Sequence, residues 1–127
     1  MIYFTQIKGF MRTAKEKLNK SLEKEITTVF AQLITDLKTP GESISFIKDF
    51  LTETEQILFT KRLAIGYWLA KKRNYENIKK NLKVSSATIA TVSEMLKKPG
   101  FMLAIKKIES DEWANRWAER IKKIVKK

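Results

Sequence analysis

The chain has 127 residues, no cysteine, no histidine and a formal net charge of +12. Its length suits one domain with a real hydrophobic core. The two missing residue types exclude disulfides and histidine-dependent nucleophile systems, and remove the commonest ligands of zinc, iron–sulfur and haem sites.

In chain order, residues 1–20 read as an N-terminal extension of net charge +4, with Met11 as a second candidate start. They hold no basic region leading into an apolar run, so no secretory signal is expected. Residues 21–127 are expected to form a single all-helical domain. Ser21 is the expected cap of a helix to about Lys38, whose Leu22, Ile26, Val29, Leu33 and Leu37 recur every three or four residues. Thr39-Pro40-Gly41 reads as a break, followed by a short helix over 43–50. Thr52 with Glu55 three residues on is a capping-box signature, opening a helix to about Lys72. That helix is apolar almost all round, which places it centrally in a core or under a partner chain. Its Lys61 and Arg62 interrupt the most apolar stretch of the chain, so no membrane span is expected.

Asn74 is expected to cap a short helix to Leu82, and Ser85 another to about Lys97. Lys98-Pro99-Gly100 reads as a second break. A short helix with Phe101, Leu103, Ile105 and Ile108 follows, and a last helix starts near Asp111. The last helix carries Trp113, Trp117, Ile121 and Ile124 on one face, suited to a core or dimer interface, or alternatively to an acidic lipid surface. The acidic groups Glu53/Glu55 and Glu109/Asp111/Glu112 read as first-turn residues complementing helix dipoles rather than as acid–base or metal sites. With no glycine-rich phosphate loop either, the chain is not expected to be an enzyme and needs no metal.

Residues 74–97 carry the most information. Two short helices with a tight turn and inward Ile78, Leu82, Val84, Ile89, Val92 and Leu96 describe a helix-turn-helix. Ser85, Ser86, Ala87 and Thr88 open the second helix with small, hydrogen-bonding groups, and Ala90 and Thr91 continue the same surface, with Glu94. Lys71, Lys72, Arg73, Lys79, Lys80 and Lys83 flank this motif as candidate phosphate contacts. Two positions depart from the usual pattern. Lys83 occupies a turn position that favours glycine, where a left-handed backbone costs roughly 1–2 kcal/mol. Lys79 stands where such motifs often hold a small residue.

Residues 50–96 resemble the tryptophan-repressor-like family. The resemblance rests on Phe50-Leu51-Thr52 with Glu55, Lys61-Arg62-Leu63 with Ile65, Ile78-Lys79 with Leu82, and above all Val84-Ser85-Ser86-Ala87-Thr88-Ile89. It implies an all-α homodimer with interleaved subunits that binds double-stranded DNA and regulates transcription. It also implies that Arg62 stands where the family contacts a ligand carboxylate; a surface or interface ion pair, with Glu55 as one candidate partner, is the competing expectation. The second ligand arginine of the family is replaced by Thr91, so no tryptophan-type corepressor is expected. The reading face Ser86, Ala87, Ala90, Thr91 and Glu94 has no basic side chain, although Arg or Lys to guanine is the commonest base contact. Phosphate binding with modest base discrimination follows. The alternative is a helical module that binds protein, RNA or a membrane surface and no longer reads DNA. Without cysteine the chain is expected to be cytoplasmic.

Overall fold

The computed structural model describes residues 16–125. The expected extension over 1–20, with Met11, therefore lies largely outside the described residues. Six helices follow among those described: α1 (Lys20–Asp36), α2 (Pro40–Phe50), α3 (Glu53–Ala70), α4 (Tyr75–Leu82), α5 (Ser86–Met95) and α6 (Pro99–Val125). Contacts divide the chain into two units, 1–50 and 51–127, where the sequence predicts one over 21–127.

In the first unit, α1 is capped by Asn19, not Ser21. The Asn19 carboxamide oxygen accepts from the backbone N–H of Ser21 at 2.8 Å and of Leu22 at 3.4 Å. Ser21 is already inside the first turn. Pro40 opens α2 instead of breaking the chain, since proline lacks only an N–H that the first turn leaves unpaired. Phe30 of α1 meets Phe46 and Phe50 of α2, with ring centroids 6.2 and 5.8 Å away. Neither helix buries any residue within one chain. Of the expected core stripe of α1, Leu37 is half-buried and Val29 is 68% exposed.

The second unit holds the core. Ile65 of α3, Ile78 of α4, and Ile89 and Val92 of α5 form one buried cluster, with Trp68, Leu69, Leu82, Val84 and Phe101 packed around it. The capping box that opens α3 is present. The Thr52 hydroxyl accepts the Glu55 N–H at 3.2 Å, and the Glu55 carboxylate accepts the Thr52 N–H at 2.9 Å. Only the second half of α3 is buried; Ile57, Leu58, Phe59 and Leu63 are exposed.

α6 corrects the expectation of two helices. It runs unbroken through 109–112, because no glycine or proline interrupts that stretch, and Pro99 again supplies a first turn. The Glu109/Asp111/Glu112 group therefore sits mid-helix and complements no helix N-terminus. Instead Glu112 accepts hydrogen bonds from the Tyr67 hydroxyl and from Lys71 Nζ, the latter at 3.3 Å, and so ties α6 to the end of α3. Closer to its start α6 meets Gly66, where an added Cβ would lie 2.7 Å from the Phe101 ring and 3.6 Å from Ile105. The bare glycine is what lets the two helices approach.

Two predictions follow from this packing. Gly66→Val overfills the α3–α6 contact and lowers stability by about 1–3 kcal/mol, measured by denaturant unfolding, and Phe101→Leu in the same chain recovers part of the loss. The Tyr67 hydrogen bond, with Lys71 beside it, holds the Glu112 carboxyl below its ordinary 4.5, despite an opposing effect of burial. The depressed carboxyl stabilises the fold at neutral pH, and that contribution is lost as pH falls through its lowered value. Glu112→Gln should melt below wild type at pH 7, with the gap closing on acidification below the usual glutamate range.

Candidate nucleic-acid interface

Local chemistry sets each end of the helix-turn-helix. Asn74 Oδ1 accepts the Asn77 N–H at 2.8 Å and starts α4. Ser85 Oγ accepts the Thr88 N–H at 3.1 Å and starts α5. Between them Lys83 adopts the left-handed conformation, φ 54° and ψ 57°. Lys61 Nζ donates to the Lys83 carbonyl at 3.3 Å, bracing the turn from α3. The turn before α4 is built the same way. Lys72 has φ 65°, while the Lys72 N–H bonds the Leu69 carbonyl and the Arg73 N–H bonds that of Trp68, closing α3 in a Schellman motif. Lysines thus occupy two backbone positions that suit glycine, one at each end of α4.

The structure divides the expected reading residues into two groups. Ser86, Ala87 and Ala90 are exposed. Ser85, Thr88 and Thr91 instead line a pocket of about 420 Å³ between α3, the turn and α5. The Ser85 and Thr88 hydroxyls lie 2.9 Å apart, and the Thr91 hydroxyl donates to the Ala87 carbonyl at 3.0 Å. These three hydroxyls are engaged within their own helix. Glu94 pairs with Lys97 at 3.0 Å.

Arg62 and Thr91 face the same pocket, together with Lys61, Ile65 and Met95. The expected Arg62–Glu55 ion pair does not form. Glu55 is committed to the capping box, and the Arg62 guanidinium lies 5.4 Å from the centroid of the Phe59 ring.

Among the candidate phosphate contacts, Lys72, Lys79, Lys80 and Lys83 are exposed. Two others are held by neighbours. Lys71 pairs with Glu112, and Arg73 stacks 4.0 Å over Trp68 while donating to Asn77 at 3.4 Å. Sequence reasoning missed Lys61 as a brace of the turn, since its partner is a carbonyl 22 residues away. It also missed Gly66, whose signal was available: a lone glycine inside an apolar helix marks a close approach.

Among the described residues no group of three or more acidic side chains is arranged to hold a metal ion, and no helix is long and apolar enough to cross a membrane. The geometry defines the class as an all-α protein with a helix-turn-helix docked on a central helix. Comparison with protein families matches residues 24–109 to Trp repressor protein, and the chain belongs to that family. No curated protein and no solved structure gives a significant match.

One consequence of the turn geometry is directly measurable. Lys83→Gly removes a left-handed lysine that costs roughly 1–2 kcal/mol, against a smaller entropic loss in the unfolded chain. Thermal or denaturant unfolding should show a gain of about 0.5–1 kcal/mol.

Proposed function

We propose that the protein is a homodimeric, double-stranded-DNA-binding transcriptional regulator whose affinity rests on phosphate contacts and whose base discrimination is weak. The observation that carries this reading is the exposed, small-residue start of α5 (Ser86, Ala87, Ala90) between clusters of exposed lysine. Small side chains let a helix approach a groove closely. Lys72 and Lys83 add a second argument. Each holds a strained backbone that glycine would adopt freely, and strain kept at a site points to a use for the side chain. A positive charge next to a helix aimed at DNA is such a use.

Dimerisation is supported by the uncovered apolar faces. α1 exposes Ile26, Val29 and Ile34, and the first half of α3 exposes Ile57 and Leu58. An apolar face exposed on a helix is what a protein interface covers. A two-fold dimer would favour pseudo-palindromic half-sites about one helical turn apart. Thr91 lines the same pocket as Arg62 and brings no guanidinium, so the regulator acts without a tryptophan-type corepressor.

A second reading is favoured by one observation: the outward face of α5 has no basic side chain, and its Glu94 is paired with Lys97. On that reading the fold is a helical interaction module for protein, RNA or a membrane surface.

Fluorescence anisotropy with labelled duplex separates the two. DNA binding predicts association that weakens linearly in log K against log[salt], unchanged by L-tryptophan. Lys83→Gly should flatten the slope by about 0.9 for one lost phosphate contact, even as it stabilises the fold. Absence of salt-dependent association at low ionic strength removes the DNA reading.

A further inference from the structure

We infer that the C-terminal half of α6 is a second phosphate-contacting surface, which extends the duplex footprint of the helix-turn-helix through Arg116 and Lys123. This inference rests on the DNA reading above. It concerns a segment beyond the residues matched to the family, which end at 109.

The argument begins with direction. Gly66 of α3 lies against Phe101 and Ile105 of α6, and Tyr67 and Lys71, at the end of α3, lie against Glu112. The two helices therefore run side by side in the same direction. α3 stops at Ala70, whereas α6 continues to Val125. At 1.5 Å per residue, the part of α6 beyond Glu112 projects about 20 Å past the end of its neighbour.

Helical periodicity then fixes what that projection presents. Ile105 is fully buried, and Glu112 bonds to α3 and its C-terminal turn, so these two mark the α3-facing side of α6. At roughly 100° per residue, Arg116 and Lys123 fall within about 20° of the same line. Arg120 lies about 60° to one side and Glu119 about 40° to the other. Arg116 is close enough to Glu112 for its charge to help lower the Glu112 carboxyl. Past the end of α3 this stripe continues beyond the turn that carries Lys72 and Arg73, the entrance to the helix-turn-helix.

The charges make an anion the fitting occupant. Arg116 and Lys123 fall on the α3-facing line of α6 beyond Glu112, and Lys72 and Arg73 follow Lys71, the lysine that pairs with Glu112, in the chain. Glu112 is engaged by Tyr67 and Lys71. A row of cations roughly 20 Å long, starting beside a helix-turn-helix, matches the spacing of a phosphate backbone over about half a turn of duplex. Lys106 and Lys107 provide an internal comparison. They sit on the same helix and are exposed, but about 100° and 200° away from the stripe.

The test measures the salt dependence of binding to two duplexes of unrelated sequence, for the full chain and two double variants. Arg116→Gln/Lys123→Gln should keep the helical circular dichroism of wild type, with a small lowering of the melting temperature from the lost Arg116 charge beside Glu112. It should flatten the slope of log K against log[salt] by about 1.8, at about 0.9 per contact, equally on both duplexes. Lys106→Gln/Lys107→Gln, with the same loss of charge, should leave the slope unchanged. If wild type binds and the Arg116/Lys123 variant keeps its slope, the inference falls and the DNA reading stands. Equal flattening in both variants attributes the effect to bulk charge and also overturns it. If wild type shows no salt-dependent association, both fall together.

Discussion

Burial of four aliphatic side chains, Ile65, Ile78, Ile89 and Val92, holds the second unit together. Each buried side chain contributes about 1.5–3 kcal/mol of gross hydrophobic stabilisation, which offsets part of the entropy lost in ordering the chain. The cluster also fixes geometry. Each of the three helices contributes a side chain to one point, so α4 and α5 cannot rotate without exposing an isoleucine. Because Ile89 and Val92 must face inward, Ser86, Ala87 and Ala90 face outward. The outward surface of α5 is set by the packing behind it.

Around that core the chain repeatedly prefers charge to backbone comfort. Both turns that bound α4 are left-handed, and both are made by lysine. One is braced by a further lysine, Lys61, through the Lys83 carbonyl. Structural economy alone would place glycine there. A basic protein that binds a polyanion has a reason to accept the strain, since each cation near a phosphate releases counterions. The recognition helix shows the opposite tendency. Its exposed face is small and uncharged, and the one acidic residue near it is neutralised by Lys97. On the proposed reading, affinity and discrimination would be carried by different parts of the unit, the first being the better equipped.

Some local signals specify their structure outright. The Thr52–Glu55 box, the Asn74 and Ser85 caps, and the inward set Ile78, Ile89 and Val92 depend on neighbours within four residues, and all are visible in the sequence. The left-handed Lys83 was legible from its place in the motif. What was not legible depends on distant partners. Tyr67 meets Glu112 45 residues away, a partner that no local pattern indicates. Asn19 is the cap rather than Ser21 because two polar residues two positions apart offer nearly equal caps, and only backbone geometry chooses. The expected site split in two for a similar reason. Spacing put Ser85, Thr88 and Thr91 near the start of α5, but their tilt toward α3, into the pocket, is a tertiary property.

The central claim is that two copies of the chain present two α5 helices to successive major grooves. The absence of cysteine makes it directly measurable. A spin label on Ala90→Cys, outward on α5, is unique in each chain, so dipolar spectroscopy reports the separation of the two helices across a dimer. A distance distribution centred near one turn of duplex, about 34 Å, is the predicted result. Absence of dipolar coupling at concentrations where sedimentation shows a single chain, or a dimer with labels far from that separation, would contradict the account.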